Sequence, residues 1–214
     1  RVVGTGQFGN LKVQRTVSYG INDSFVAIDV FLTNLGASPL SQVSWMEAFN
    51  PEQGQNTPAN TSNTSNDLGV GSDGTKPIAR GSVVTNANPQ GLSVALAAPS
   101  SDTRARANIV SKFLNLRDSS QLVTLPINDP NGATSDDLLS LGYDLGSLSG
   151  AGTTGSSTHL RYFIFFGDSP NAINTAYASL NANTGGGHLA VDSANPAGET
   201  LSSGQVASQL PYRV

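Results

Sequence analysis

Apolar and polar residues alternate in Leu11-Lys-Val-Gln-Arg-Thr-Val-Ser-Tyr19, and Phe25-Val-Ala-Ile-Asp-Val-Phe-Leu-Thr33 places Val26, Ile28, Val30 and Leu32 on one side. A period of two residues is typical of a β-strand that buries one face. The residues between these runs, Gly20–Ser24, include Gly, Asn, Asp and Ser, which favour turns. The two runs are therefore predicted to pair as an antiparallel hairpin.

Further strands are predicted along most of the chain. Val43–Phe49 is predicted as a third strand, and it carries Trp45, the only tryptophan. Shorter apolar runs bounded by turn residues are predicted as strands over Val83–Thr85, Leu92–Ala97, Ala105–Val110, Leu122–Leu125 and Leu138–Tyr143. His159–Phe166 is nearly continuously apolar, which indicates a strand in the centre of a sheet.

One helix is predicted near the end of the chain. Asp168 or Ser169 provides an N-cap, Pro170 suits a first helical turn, and the apolar residues on one face are Ile173, Ala176, Tyr177 and Leu180. The predicted fold class is all-β, an antiparallel β-sandwich with long loops and one short C-terminal helix. We expect a single domain over residues 1–214, with its core in residues 8–180 and a glycine-rich segment after it.

Composition excludes several classes of function. The chain has 11 basic and 15 acidic residues and no basic cluster, so nucleic-acid binding is excluded. No apolar run approaches the roughly 18 residues that span a bilayer, so membrane insertion is not expected. Cysteine is absent, which excludes disulfides and thiolate chemistry. The 12 Asp and 19 Asn against 3 Glu favour strands and ligand-rich loops, as in many extracellular proteins.

Catalytic motifs are weak, and the chain is predicted not to be an enzyme. Gly4-Thr-Gly-Gln-Phe-Gly9 has the letters of a dinucleotide fingerprint, but a predicted strand follows it where that fingerprint requires a helix, so this segment is predicted as a flexible entry to the first strand. His159 and His188 belong to no metal-binding spacing. Glu47 shares a strand face with Trp45, an arrangement found in sugar sites; the alternative interpretation pairs Glu47 with an arginine, Arg15 or Arg80.

Residues 50–81 carry the clearest functional signal. This tract is rich in Asn, Asp, Ser, Thr and Gly, and calcium prefers six to eight oxygen ligands from flexible loops. A solvated loop is the alternative interpretation. The candidate ligands of Ca²⁺ are Asn50, Glu52, Asn66, Asp67 and Asp73, with Asp102 and Asp129 from elsewhere in the chain.

Two arginines are candidate ligand-binding residues. Arg104 and Arg106 stand two residues apart, so on a strand they share a face and are able to clamp a ligand carboxylate. The alternative is a solvated strand whose arginines pair with nearby acids. Trp45 and Glu47 complete the predicted ligand-binding set.

The order of several motifs resembles a known family. These are Asn10-Leu-Lys-Val-Gln-Arg-Thr-Val-Ser-Tyr19, Asp23-Ser-Phe-Val-Ala-Ile28, Leu32-Thr-Asn-Leu-Gly36, Trp45-Met-Glu-Ala-Phe-Asn-Pro-Glu52, Asp129-Pro-Asn-Gly-Ala133, Tyr143-Asp-Leu-Gly146 and Phe165-Phe-Gly-Asp-Ser169. Over residues 8–180 the chain resembles the extracellular β-sandwich modules near the ends of long bacterial RTX adhesins, in particular their peptide-binding domains.

The resemblance implies an adhesive function that depends on calcium. Members of this family hold the C-terminal peptide of a ligand on a surface of loops and bound ions. Their loop after the third strand is richer in Asp, in the style D-P-x-x-D, whereas this chain reads Asn50-Pro-Glu-Gln-Gly54. Fewer carboxylates lower the ligand charge and weaken calcium binding at that loop.

We therefore expect a monomeric, non-enzymatic, calcium-dependent adhesin module on the cell surface. Its partner would be a peptide or protein terminus on another cell. Two alternatives remain open: a carbohydrate-binding or carbohydrate-active module that uses Tyr19, Trp45 and Glu47, and a structural spacer of a surface protein with no ligand.

Overall fold

The computed structural model describes residues 1–52, 63–69, 76–83, 92–111 and 119–183. This part of the chain contains eleven strands and two helices. The strands are β1 (Val2–Phe8), β2 (Leu11–Ser18), β3 (Phe25–Asn34), β4 (Leu40–Phe49), β5 (Thr64–Leu68), β6 (Ile78–Val83), β7 (Ser93–Ala97), β8 (Ala105–Ser111), β9 (Thr134–Ser135), β10 (Asp137–Leu148) and β11 (Ser157–Gly167). The helices are α1 (Ser119–Thr124) and α2 (Pro170–Asn183).

The strands form two sheets in which all neighbours are antiparallel. The large sheet has the order β1-β2-β3-β11-β7-β6-β5-β9, and the small sheet has the order β4-β10-β8. The predicted β-sandwich with a C-terminal helix is therefore confirmed. The predicted hairpin is β2 and β3, joined in a register that sets Val13 opposite Leu32. The predicted central strand is β11, which lies between β3 and β7.

The main core lies between the two sheets. Strand β10 of the small sheet supplies the fully buried Leu139, Leu141 and Tyr143, which pack with residues such as Val30 on β3 and Tyr162 on β11. Burying one large apolar side chain contributes about 1.5–3 kcal/mol, so each of these residues stabilises the contact between the two sheets.

Each helix covers the outer face of one sheet. Helix α1 lies on the small sheet, where a Cβ atom on Gly142 would come within 3.0 Å of Val123 Cγ1, so the close approach requires glycine. Helix α2 packs Ile173 and Tyr177 against Phe163 and Phe165 of the large sheet in a second apolar cluster. Neither of these two helices, the ones in the described residues, is long and apolar enough to cross a membrane.

Two local predictions were wrong. Residues 122–125 were predicted as a strand, but α1 ends at Thr124 and buries Leu122 against β10, because so short an apolar run fits either structure. The segment before residue 10 was predicted as a flexible entry, but Val2–Phe8 is strand β1 and pairs along its full length with β2. Its glycines therefore belong to a strand, and the following element is another strand.

The oxygen-rich tract is less irregular than its composition indicates. It was predicted as one long loop, but residues 64–68 form β5 and residues 78–81 belong to β6. Leu68 and Ile78, two of its few apolar residues, are 2 % and 0 % exposed. These two side chains anchor the tract to the sandwich. Asp73 lies outside the described residues.

Candidate functional site

An apolar cleft of about 550 Å³ opens at the end of the sandwich where β4 and β11 finish. Phe49 and Pro51 line it from the small-sheet side, and Leu92, Val94 and Phe166 line it from the large sheet. Asn50 and Glu52 form its polar rim. Its volume falls within the range of about 300–1,000 Å³ found for small-ligand sites. We call this feature the apolar cleft.

Strand periodicity places two large apolar side chains on the wall of the cleft. Phe166 follows Tyr162 and Ile164 on the same face of β11 and stands opposite Val94 of β7. Phe166 is 51 % exposed and Leu92 is 52 % exposed, whereas Tyr162 is fully buried. The core-facing pattern therefore continues to the end of the sandwich, where its last members remain open to a ligand.

A carboxylate–amide cluster, Asn50, Glu52 and Asp136, lies on the rim of the cleft. Asn50 Nδ2 donates to Glu52 Oε1 at 2.7 Å and to Asp136 Oδ1 at 3.1 Å. Asn50 Oδ1 is buried and has no hydrogen-bond partner among the described residues. A buried acceptor without a partner costs about 1–3 kcal/mol, so this atom marks a position where a further donor or cation is stabilising.

The turn that holds this cluster is fixed by close packing. Pro51 is buried between Asn50 and Glu52, and Glu52 N donates to Asn50 O at 3.0 Å. A Cβ atom on Gly81 would lie 3.0 Å from Pro51 Cγ and 2.9 Å from Asn66 Oδ1. Strand β6 therefore needs glycine there to let the turn rest on the sheet.

Of the predicted calcium ligands, Asn50 and Glu52 are joined by a hydrogen bond, and Asp67 and Asp129 lie close enough to interact electrostatically. Asn66 is fully buried; its Oδ1 accepts from Thr64 Oγ1 at 2.7 Å, and its Nδ2 donates to Ser135 Oγ at 3.0 Å. Asp129 Oδ1 accepts from the backbone N–H groups of Leu68 and Asn131. The amide and the carboxylate thus organise β5 and its neighbouring turn.

Asp67 forms an ion pair on the face of β5 opposite to that of its neighbour Asn66. Its Oδ2 accepts from Arg80, which also donates to Asn174 Oδ1 at 2.6 Å and so ties the sheet to α2. Asp67 Oδ1 is buried without a partner among the described residues. Burial raises the pKa of Asp67 even though Arg80 acts to lower it. The pair joins β5 to β6 and, through Arg80, to α2.

The two candidate arginines turn to different partners. Arg104 binds Asp102 through Nε at 2.8 Å and Nη2 at 2.7 Å, and it also reaches His159 O. Burial acts to raise the pKa of Asp102, but the hydrogen bonds from Arg104 outweigh it and lower that pKa. Arg106 donates from Nη1 to Val123 O at 2.5 Å and from Nη2 to Leu125 O, so it caps the end of α1.

Glu47 joins the two sheets. It accepts from the hydroxyl of Tyr162 on β11 and from Arg15 Nη2 on β2 at 3.2 Å, so the interpretation that pairs Glu47 with Arg15 agrees with the structure. Burial, together with Glu47, raises the pKa of Tyr162. Trp45 packs against the main core, and its Nε1 is buried with no hydrogen-bond partner among the described residues.

Sequence reasoning missed Asp136, Leu92 and Phe166. Phe166 was the last residue of a predicted strand, and its place in the alternation was the available signal. Asp136 stands 86 residues from Asn50, and no local pattern connects them. Within the described ranges, no three His, Cys, Asp or Glu side chains are grouped as a metal site. The cluster on the rim has two carboxylates and one amide.

Comparisons with known proteins add no identification: no family model matches the chain, and no curated protein sequence matches it.

Proposed function

We propose that the chain is a non-enzymatic, calcium-dependent adhesin module that binds a peptide or protein terminus in the apolar cleft. The observation that carries this proposal is the juxtaposition of a half-exposed apolar wall and an oxygen-rich rim with an unpaired buried acceptor. An apolar wall accepts a side chain of the peptide, and a cation on the rim attracts its terminal carboxylate.

The residues of the rim have the type of ligand atom that calcium prefers, and they provide part of its coordination. Without a metal, the Asn50 amide N–H₂ group stands between two carboxylates, as a cation would. Rotation of this amide turns the unpaired Oδ1 toward Glu52 and Asp136 and gives three protein oxygens. Water, backbone carbonyls and the ligand would supply the remaining oxygens of the six to eight that calcium prefers.

A weak site suits an extracellular module. Two carboxylates and one amide provide little ligand charge, and calcium sites of extracellular modules have dissociation constants of about 10⁻⁴–10⁻³ M. The resemblance to peptide-binding domains of RTX adhesins supports the same setting, with a ligand on another cell surface. This chain has fewer carboxylates in the loop after the third strand than that family. The difference lowers the affinity for calcium and leaves the mode of peptide binding unchanged.

Three acids of the described residues, Glu47, Asp67 and Asp102, are held in ion pairs, which fits a binding function. Glu47 is held by Arg15, Asp67 by Arg80, and Asp102 by Arg104. General acid–base catalysis needs a group whose proton is free to reach a substrate. Screens with glycosidase, esterase and peptidase substrates are accordingly expected to give no turnover.

The apolar wall is tested by retention of peptides. Wild-type protein, immobilised in millimolar calcium, is expected to enrich peptides with an apolar C-terminal residue from a pool of random octapeptides with free carboxylates. The double variant Leu92→Ser, Phe166→Ser is expected to lose this enrichment, because it removes the exposed apolar surface of the cleft. Mass spectrometry of the retained peptides measures the enrichment by the wild type and by the double variant.

Phe8→Ser provides the matched control. Phe8 is 87 % exposed on β1, so its replacement removes as large an exposed ring from another surface. Enrichment is expected to be unchanged in this variant. Equal enrichment by the double variant, or none by the wild type, would show that the cleft is not the peptide site.

A further inference from the structure

A second cavity, of about 400 Å³, lies on the outer face of the large sheet. Two rows of neighbouring side chains on β2, β3 and β11 form its floor. One row is Gln14, Phe31 and His159, and the other is Lys12, Thr33 and Ser157. Residues 153–156, from the connection between β10 and β11, form its wall. We call this feature the outer-face cavity.

Helix α2 leaves this part of the sheet uncovered. The helix packs on Phe25, Ala27, Phe163 and Phe165, which lie toward the other end of the same face. Between that cluster and the cavity, Arg161 holds Asp29 through Nε at 2.7 Å and Nη2 at 2.8 Å. The sheet face therefore changes from an apolar, covered half to a polar, open half.

Several polar groups in the lining of the outer-face cavity are available to bind a ligand. Within the described residues, the Lys12 ammonium and the hydroxyls of Thr33, Thr154, Ser156 and Ser157 have no protein hydrogen-bond or ion-pair partner. None of the residues that line this cavity is acidic. Asp29, in the next row of the same sheet face, pairs with Arg161 and also accepts from His159 Nε2 at 2.7 Å, and Asp102 pairs with Arg104.

The wall is held in place by its own hydrogen bonds. Thr153 Oγ1 donates to Gly150 O at 2.6 Å, and Ser149 N donates to Gly155 O at 2.9 Å. Asn34, which is buried at the end of β3, donates from Nδ2 to Ser149 O at 2.9 Å. A ligand would therefore meet a preformed polar wall, which reduces the ordering cost of binding.

We propose that the outer-face cavity binds an acidic saccharide, such as a uronic acid unit of a glycan. Several hydroxyl side chains match the hydroxyl groups of a sugar, which both donate and accept hydrogen bonds. The Lys12 ammonium, with no acid in the lining to compete, pairs with the carboxylate of the sugar. The stacked rings of Phe31 and His159, with centroids 4.4 Å apart, give the floor an apolar edge for the C–H groups of the sugar.

Calorimetric titration in EDTA, so that calcium takes no part, tests this site. The probes are tetragalacturonate, neutral maltotetraose and sodium acetate. Tetragalacturonate is expected to bind saturably and at least about tenfold more tightly than either of the others, because only it offers both the hydroxyls and the charge. The Glu52→Gln variant is expected to bind it as the wild type does, because the apolar cleft lies at the other end of the sandwich.

Lys12→Met is expected to weaken tetragalacturonate binding about tenfold by removing the charge while keeping the length of the side chain. Thr33→Val, nearly isosteric, is expected to weaken it about threefold. Lys76→Met is the control, because Lys76 precedes β6 and lines no part of the cavity. Circular dichroism checks that each variant is folded.

Three results would overturn the proposal. These are no saturable binding of tetragalacturonate by the wild type, unchanged affinity in Lys12→Met, and equal affinity for maltotetraose or acetate.

Discussion

Replacing Glu52 by Gln and Asp136 by Asn is expected to abolish the rise in Tm that calcium gives the wild-type protein. A ligand that binds only the folded state stabilises it by mass action, by about 1.4 kcal/mol when free calcium is tenfold above Kd. For a domain of this size, that corresponds to a shift of about 3–6 °C. The double variant removes both carboxylates that contact Asn50. Differential scanning fluorimetry in millimolar calcium and in EDTA measures the shift.

Asp144→Asn is the matched control for this experiment. Asp144 is an exposed carboxylate on β10, and its Oδ1 accepts from Gly146 N at 3.1 Å, so its replacement removes a charge far from the cleft. We expect this variant to keep the full calcium shift. A double variant that also kept the full shift would place the ion elsewhere in the chain.

Asp29→Ala is expected to destabilise the fold by about 3 kcal/mol or more. Asp29 is 5 % exposed and binds both Arg161 and His159. Removing one member of a buried ion pair leaves the partner charge uncompensated, which typically costs about 3–5 kcal/mol. Urea denaturation at pH 7 measures the loss. Asp144→Ala, an exposed comparison, is expected to change the free energy of unfolding by about 0.5 kcal/mol or less.

The stabilisation that Asp29 gives the fold is expected to decrease at low pH. Burial acts to raise the pKa of Asp29, but the hydrogen bonds from His159 and Arg161 outweigh it, so the pKa in the folded state lies below 3.8. The stabilisation is therefore complete above the pKa of the unfolded chain and is lost as the pH falls through the lower folded value. Urea titrations from pH 7 to pH 3 measure the free energy of unfolding of both proteins. The difference between wild type and Asp29→Ala in this free energy is expected to become smaller only below about pH 4. A difference that narrowed between pH 7 and pH 5 would contradict this assignment.

Most strands that pack apolar side chains in the core were predictable, whereas strand β1 and helix α1 were not. In β2 and β3, one side of each strand packs in the main core. Apolar residues therefore recur at every second position of the sequence, which is the signal that predicted these strands. Strand β1 has no such signal, since every one of its residues is exposed and it pairs with β2 at the edge of the sheet. Helix α1 has only one buried residue, Leu122, which is too few to establish a helical period.

The candidate site was predictable only in its local part. Asn50 and Glu52 were chosen for their oxygen atoms, and the Pro51 turn brings them together. Asp136 reaches them from the start of β10, because antiparallel pairing of β4 with β10 places those strand ends side by side. Arg104 forms an ion pair with Asp102, two residues away. Arg106 instead donates to the end of α1, a helix that was not predicted from the sequence.

The most direct test of the central proposal compares two forms of one peptide pool. Random octapeptides are prepared with a free C-terminal carboxylate and with a C-terminal amide, and each pool is passed over the immobilised protein in millimolar calcium or in EDTA. Because the cleft is proposed to hold the terminal carboxylate beside a calcium ion on Asn50, Glu52 and Asp136, only the free-acid pool with calcium is expected to be retained. Equal retention of the amidated pool, or retention that survives EDTA, would contradict this account.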